Sequence, residues 1–185
     1  MSDRHDAGNG DADALDLLAY AVQAAGIRVP GLVLPRDRDV LLGGMRFHFL
    51  DWGNEGARPI LFLHGGGLTA HTYDLVCLAL RTDYRCLSLD QRGHGDSEWS
   101  PVEDYGTATH AADIAAFIDA FDLSGLVMVG MSMGALNAIH YAADHGDRLA
   151  ALILIDAGPE MHVAVREHGH VRRAPCPRGG ASRPA

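Results

Sequence analysis

Apolar and polar residues alternate along this chain in blocks whose spacing indicates strands and helices in turn. Four short segments predict strands, and they cover residues 59–64, 84–90, 126–131 and 149–156. The first is an apolar run typical of a strand buried on both faces of a sheet. Helical periodicity fills the intervals between them, over residues 71–82, 108–122 and 135–146. Strands that alternate with helices predict an α/β fold, with a mostly parallel sheet and helices on both faces.

The N-terminal part adds a hairpin and a short helix to this pattern. Residues 40–53 predict two strands joined by a turn at Gly43-Gly44. Leu15–Ala25 predicts a helix, whereas residues 1–14 are polar and acidic and are expected to be disordered. The predicted organisation is an N-terminal extension over residues 1–30, a core over 31–161 and a basic tail over 162–185.

The tail differs sharply from the rest in charge and in composition. The chain has a net charge of −9, but residues 166–185 contain five arginines and one acid, and the chain has no lysine. No hydrophobic period continues past Met161, so the tail is expected to be disordered. Arginine, proline, glycine and alanine dominate it, as they do in GC-rich coding sequence read out of frame. We therefore expect a frameshifted or spurious terminus on a truncated gene.

Length, charge and cysteine content limit the classes of function. A chain of 185 residues is long enough for one domain with a sizeable core. The net charge of −9 argues against a nucleic-acid partner. No segment has the pattern of a membrane span or a signal peptide. The three cysteines, Cys77, Cys86 and Cys176, have no metal-ligand spacing and predict a cytoplasmic protein without a disulfide framework.

Polar clusters follow the predicted parallel strands at the point where each strand ends. They begin at His64, Asp90, Ser132 and Asp156. In open α/β sheets, binding and catalytic sites form at the carboxyl ends of the strands. This shared placement predicts one functional site at that edge of the sheet.

Ser132 lies between two glycines in the pattern Gly130-x-Ser132-x-Gly134. The pattern follows a strand and precedes a helix, which is typical of a nucleophile elbow. In such a turn the serine hydroxyl projects above the sheet, and the backbone N–H of Met133 points toward a developing oxyanion. The alternative is a close-packed, glycine-rich turn in which the serine is incidental.

The run His64-Gly65-Gly66-Gly67 follows the strand at residues 59–63 and allows close approach of the backbone to a ligand. Its predicted role is the second oxyanion donor, through the N–H of Gly66 or its neighbour Gly67. A rival interpretation is a loose dinucleotide fingerprint, Gly65-x-Gly67-x-x-Ala70, with Asp90 as the ribose-binding acid. That interpretation leaves Ser132 unexplained, and two predicted strands precede the loop where the fingerprint usually opens the sheet.

Three motifs occur in one order: HGGG at His64, D-x-R-G-x-G-x-S at Asp90, and G-x-S-x-G around Ser132. From about Val40 to Glu160 the chain resembles the alpha/beta-hydrolase superfamily, in its group of esterases, lactonases, C–C hydrolases and haloperoxidase-like enzymes. The resemblance implies that Asp90, Arg92 and His94 form a structural turn, although a catalytic His94 stays open as an alternative.

The resemblance also implies a reaction class. Epoxide hydrolases and haloalkane dehalogenases of the superfamily carry aspartate at the elbow. Ser132 instead favours hydrolysis of an ester, thioester or lactone of a small molecule through an acyl-enzyme, with no metal or organic cofactor.

The remaining members of a catalytic triad are not evident. In the superfamily an acid and then a histidine follow the serine along the chain. Asp156 is the candidate acid, with a structural turn as the alternative. His162, His168 and His170 fall in the tail, where nothing predicts a position beside Ser132, so the base stays unassigned.

The resemblance further implies that the cap and the last strands of the fold have no counterpart here, so catalysis by this chain is expected to be impaired. The alternative is an inactive hydrolase-fold fragment or a binding module. The apolar strand at residues 149–155 would then form a sheet edge open to self-association. His110 is expected on the face of a helix.

Overall fold

The computed structural model describes residues 7–157 together with residues 166–167 and 170–171. Six strands form one sheet: β1 (Arg36–Leu42), β2 (Met45–Asp51), β3 (Arg58–Leu63), β4 (Tyr84–Leu89), β5 (Leu126–Met131) and β6 (Leu149–Ile155). Their order in the sheet is β1-β2-β4-β3-β5-β6. The pairs β1–β2 and β2–β4 are antiparallel, and the other three pairs are parallel. The predicted hairpin and the predicted mostly parallel sheet are confirmed.

Four helices cover the two faces of this sheet: α1 (Ala7–Ala25), α2 (Asp74–Leu80), α3 (Thr107–Ala120) and α4 (Met133–His145). Phe117 of α3 and Tyr141 of α4 join one apolar core with Phe49 of β2. Leu18 of α1 and Cys77 of α2 lie in the second core, on the opposite face. The prediction of helices on both faces is therefore confirmed.

Two helix boundaries differ from the sequence-based prediction. α1 begins at Ala7 rather than at Leu15, although residues 7–14 are rich in acidic and small residues. Leu18 of α1 is only 8% exposed because it packs in the apolar core to which α2 also contributes. Tertiary packing thus extends a helix whose N-terminal sequence has little apolar content. The segment predicted as helix over residues 71–82 divides into a 3-10 helix at Ala70–Tyr73 and the shorter α2.

The tail contains one element that the sequence did not predict. Two short antiparallel strands, β7 (Arg166–Glu167) and β8 (His170–Val171), pair with each other. The rest of the predicted disordered tail lies outside the described residues, as do residues 1–6 of the N-terminal extension. None of the described helices has the length and apolar character needed to cross a membrane.

Within the described residues, β6 forms one edge of the sheet because it pairs only with β5. Ile153 and Ile155 are 47% and 41% exposed. Ala151 is exposed on the same face of the strand. An apolar strand edge of this kind was expected from the sequence, and it borders the turn that carries Ser132.

Candidate active site

Ser132 joins the end of β5 to the start of α4 in an uncommon backbone conformation. Its φ is 50° and its ψ is −111°, in a region that non-glycine residues rarely adopt. Strain of this type costs roughly 1–3 kcal/mol and is concentrated at functional sites. The backbone N–H of Ser132 donates to the carbonyl oxygen of Ile155 at 2.9 Å. The residue is exposed and lies between a strand and a helix, where the sequence predicts a tight turn.

The two glycines flanking Ser132 are required by the close approach of other backbone atoms. A Cβ atom on Gly130 would lie 2.5 Å from the carbonyl oxygen of Gly134 and 2.7 Å from the Cα of Ala135. A Cβ atom on Gly134 would overlap the carbonyl oxygens of Leu63 and His64. α4 therefore begins directly against the end of β3, which leaves no room for a side chain at either position.

The loop after β3 lies beside this turn. A Cβ atom on Gly66 would be 3.9 Å from the Cβ and Sδ atoms of Met133, and one on Gly65 would be 3.5 Å from the Cε of Met131. Met133 is the first residue of α4, and the first N–H groups of a helix have no partner within the helix. The structure thus brings together the two residues predicted as oxyanion donors, Met133 and Gly66.

A buried hydrogen-bond network fixes this loop against α4. The Gln91 N–H donates to Nε2 of His64 at 3.0 Å, so Nδ1 of the neutral ring carries the proton and donates to the Gly65 carbonyl at 2.8 Å. The Gln91 side chain donates through Nε2 to the His64 carbonyl at 2.8 Å and accepts from Nδ2 of Asn137 at 2.7 Å. Burial lowers the pKa of His64, which favours this neutral form.

Asp90 holds the loop that follows β4. Its carboxylate accepts hydrogen bonds from the N–H of Ala70 at 2.6 Å and of Asp96 at 3.1 Å, and from Nδ1 of His48 at 2.8 Å. Asp90 is only 2% exposed, and a Cβ atom on Gly95 would overlap its carboxylate. Both carboxylate oxygens thus already accept hydrogen bonds from the protein. They are not free to accept hydrogen bonds from a ribose, which argues against the dinucleotide interpretation.

Arg92 and His94 also stabilise the loop after β4, which agrees with their predicted role in a structural turn. Arg92 forms a bidentate pair with Asp113 of α3, with distances of 2.5 Å from Nε to Oδ2 and 2.6 Å from Nη2 to Oδ1. Nδ1 of His94 donates to the Arg92 carbonyl at 3.0 Å.

His110 was expected on a helix face but is 3% exposed, and its burial and the nearby Arg92 lower its pKa to about 4. A short loop packed over α3 therefore buries a histidine that periodicity alone placed outside.

The candidate acid lies next to the serine turn, whereas the base has no described position. Asp156 follows the carbonyl of Ile155 that binds the Ser132 N–H, and it is exposed with a φ of 54°. Among the described side chains, none of the histidines forms a hydrogen bond to Ser132. The side chains of the tail histidines His162, His168 and His170 lie outside the described residues.

Three residues of the site region were not identified from the sequence. Gln91 occupies a variable position of the D-x-R-G-x-G-x-S motif, so the motif assigns it no role. Asn137 lies inside α4, and His48 lies inside β2, where the apolar pattern gives no signal for a polar contact. The one available signal for Asn137 was an amide among mostly apolar residues of a predicted helix.

The structure thus defines an open α/β scaffold whose polar cluster lies at the carboxyl ends of β3, β4, β5 and β6. The chain matches the sequence profile of the alpha/beta hydrolase fold over residues 58–170. It therefore belongs to the alpha/beta hydrolase fold family, as the resemblance of its three motifs implies.

Individual relatives include hydrolases and haloperoxidases. The chain is 33% identical to esterase Rv0045c of Mycobacterium tuberculosis over 159 residues, which are 86% of this chain and 50% of the esterase. It is 36% identical over 122 residues to a non-heme chloroperoxidase of Streptomyces lividans, covering 65% of this chain and 44% of that enzyme. The chain thus spans about half the length of these curated relatives.

Solved structures agree with these sequence relatives. An alpha/beta hydrolase from Novosphingobium aromaticivorans superposes with a TM-score of 0.64 at 30% identity, covering 70% of this chain and 47% of that one. The solved structure of the Mycobacterium tuberculosis esterase gives a TM-score of 0.62 at 35% identity, with 77% of this chain and 47% of that one covered.

Proposed function

We propose that this chain carries the nucleophile and oxyanion-binding parts of a serine hydrolase site that acts on carboxylic esters, lactones or related acyl bonds of small molecules. Ser132 is the nucleophile in this proposal, and the N–H groups of Met133 and Gly66 stabilise the oxyanion. The similarity to an esterase supports this reaction class.

The observation that carries the proposal is the strained conformation of an exposed serine between two glycines that cannot bear a side chain. A φ of 50° at Ser132 is maintained against its energetic cost by the close packing of α4 on β3. An incidental serine has no need of this conformation, because a glycine would occupy the same turn without strain.

The proposed reaction uses these groups in two stages. The Ser132 oxygen attacks the acyl carbon, the carbonyl oxygen becomes an oxyanion, and the alcohol leaves with the proton that the serine has lost. Water then hydrolyses the acyl-enzyme to release the acid. Two backbone donors beside the oxyanion stabilise it selectively in the transition state.

Asp156 is the proposed acid, because its backbone adjoins the carbonyl bonded to Ser132. A general base must lie within hydrogen-bond distance of the proton that it removes. Loss of the base from a triad lowers turnover by several orders of magnitude. None of the described histidines bonds to Ser132, so the proposal is a serine that still reacts covalently but turns over slowly, and its alternative is a hydrolase-fold scaffold in which Ser132 is unreactive.

Labelling with a fluorophosphonate probe tests the proposal, because covalent capture requires an activated serine. The comparison is between the chain itself, Ser132→Ala and Ser124→Ala, which removes another exposed serine outside the site. Each protein is first checked for a cooperative melt. Labelling that persists in Ser124→Ala and is lost in Ser132→Ala supports the proposal. A folded protein that does not react contradicts it and favours the scaffold.

We also infer a reducing compartment, in agreement with a cytoplasmic location. Cys77 and Cys86 are both buried as free thiols. Burial raises the pKa of the Cys77 thiol, which keeps it protonated and unreactive. Fractionation of the native host with an antibody to the chain tests this inference, and recovery from a secreted or membrane fraction would contradict it.

A further inference from the structure

A second concave site lies at the opposite end of the sheet from Ser132. It is a pocket of about 360 Å³ between the end of β2 and the turn that joins α2 to β4, and its walls include Arg36, Trp52 and Arg81. Trp52 donates its backbone N–H to the carbonyl of Cys86, near the start of β4. The pocket is therefore at the amino ends of the parallel strands, whereas Ser132 is at their carboxyl ends.

Two buried N–H groups in the walls of this pocket have no acceptor among the described residues. They are Nε1 of the Trp52 indole and Nε of Arg81. Trp52 is 4% exposed, so solvent does not readily satisfy its indole. Buried donors without an acceptor are uncommon in native proteins, so these two residues distinguish the walls of this pocket from an ordinary surface.

The charge of the pocket is positive in a chain that is acidic as a whole. No described acid pairs with Arg81, and Arg36 has only a 3.7 Å contact with Glu55, in which both side chains are more than 60% exposed. The one acid in the walls, Asp51, is already neutralised, because Arg38 donates to it at 3.0 Å and Arg85 lies 3.7 Å away.

The shape of the pocket is fixed by the polypeptide around it. Nδ2 of Asn54 donates to the carbonyls of Arg81 and Thr82 at 3.2 and 2.9 Å, which ties the β2–β3 loop to the turn after α2. Gly53 donates its N–H to Asp51 at 2.9 Å within the same loop. The two arginines therefore lie at a cleft whose surrounding loops are held in place by hydrogen bonds before any ligand binds.

We propose that this pocket binds a small oxyanion, a carboxylate or phosphate group, between the guanidinium groups of Arg36 and Arg81 and beside the Trp52 indole. Guanidinium groups present paired N–H donors whose geometry matches both anions. The site is separate from the serine turn, so it is independent of the proposed hydrolysis. The bound group belongs to an effector or to a remote anionic part of a metabolite. It does not contain the acyl bond that Ser132 attacks in the proposed reaction.

Trp52 provides a direct reporter, because the chain contains only two tryptophans. In a Trp99→Phe background, the emission of Trp52 is followed during titration with inorganic phosphate and, separately, with succinate. Potassium chloride keeps the ionic strength constant. The expected result is a saturable change in emission with at least one anion, together with a higher melting temperature. The relative affinities then distinguish phosphate from carboxylate.

Arginine variants in the same background identify the site. Arg81→Gln is expected to weaken binding at least tenfold, and Arg36→Gln, at an exposed side chain that folding tolerates, is expected to weaken it as well. Arg148→Gln, beside β6, serves as the matched control and binds as the parent does. Ser132→Ala also binds as the parent does, whatever its effect on labelling. No saturable change with either anion, a change that chloride reproduces, or equal binding by Arg36→Gln and the parent overturns the proposal.

Discussion

The side chains of Gln91 and Asn137 share a buried hydrogen bond of 2.7 Å that links the loop after β4 to the helix beginning at Ser132. Gln91 also binds the His64 carbonyl, so one amide connects the loop after β3 with α4. The relative position of Gly66 and Met133 thus depends on this bond as well as on the glycines.

Replacement of Asn137 by Leu is expected to lower the free energy of unfolding by about 1–3 kcal/mol, because it leaves the buried Gln91 oxygen without a donor. Chemical denaturation measures the change. In a double-mutant cycle with Gln91→Met, we expect a coupling of roughly 1 kcal/mol. Additive effects of the two substitutions would show that the bond does not contribute.

Gly134→Ala is expected to destabilise the protein by more than about 3 kcal/mol or to prevent folding, because the new methyl group overlaps two backbone carbonyls at the end of β3. Thermal melting checks the result. Gly146→Ala is the matched control, since nothing lies within 4 Å of its Cβ position and its φ is −61°. A normal melt for Gly134→Ala contradicts the described approach of α4 to β3.

His110 predicts a dependence of stability on pH. Its pKa is about 4 in the folded protein, against 6.5 for a free side chain, because burial and Arg92 disfavour the charged ring. Between these values the unfolded chain binds a proton that the folded chain does not. Stability is therefore full above pH 6.5 and declines as the pH falls toward 4, by an amount on the order of 1–3 kcal/mol from this group.

Comparison of variants isolates this contribution from those of other groups. Denaturation at pH 7.5, 6 and 5 is measured for the parent, for His110→Gln and for His140→Gln, which replaces an exposed histidine of α4. We expect His110→Gln to flatten the decline and His140→Gln to leave it unchanged. An equal decline in all three proteins refutes the role of His110.

Asp90→Asn is expected to cost about 2–4 kcal/mol, since an amide cannot accept all three of the hydrogen bonds that the carboxylate receives. Asp83→Asn, at an exposed acid before β4, is expected to change stability little. A nicotinamide dinucleotide titration of the parent tests the rival role for Asp90. A rise in melting temperature that Asp90→Asn removes would restore the dinucleotide interpretation.

The outer side of β6 has no pairing strand among the described residues, and an apolar edge of this kind is a template for another strand, so we expect self-association. Ile153→Lys is expected to reduce it by placing a charge on that edge. Leu41→Lys is the matched control, on β1 at the opposite edge of the sheet, where Leu41 is 73% exposed. Sedimentation velocity over a range of concentrations distinguishes the three proteins. Equal association of Ile153→Lys and the parent would falsify this prediction.

The sequence was sufficient for the strand order along the chain and for the turn at Ser132, because both depend on local patterns. Apolar runs set the strands, and glycines two residues before and after the serine permit the tight turn. The positions of Asn137 and His110 were not predictable in this way. Each is a polar residue buried on a helix, Asn137 by its bond to Gln91 and His110 beside Arg92, and both partners lie in the loop after β4.

The N-terminus of α1 and the pocket at Arg81 illustrate the same limit. Residues 7–14 have little apolar periodicity, so their helix depends on packing further along, at Leu18. Arg36 and Arg81 are 45 positions apart in the sequence and converge only because β2 returns beside β4. Long-range pairing of strands, rather than local preference, decides such contacts.

The hydrogen bond from Ser132 to Ile155 connects the strained turn to a strand at the edge of the described sheet. Local opening of a native protein starts at such margins and exposes amide protons to exchange with solvent. The amide of Ser132 should therefore exchange with deuterium at the rate of β6 rather than at the slower rate of β3. Any contact that immobilises β6 will then also hold Ser132 in its rare conformation.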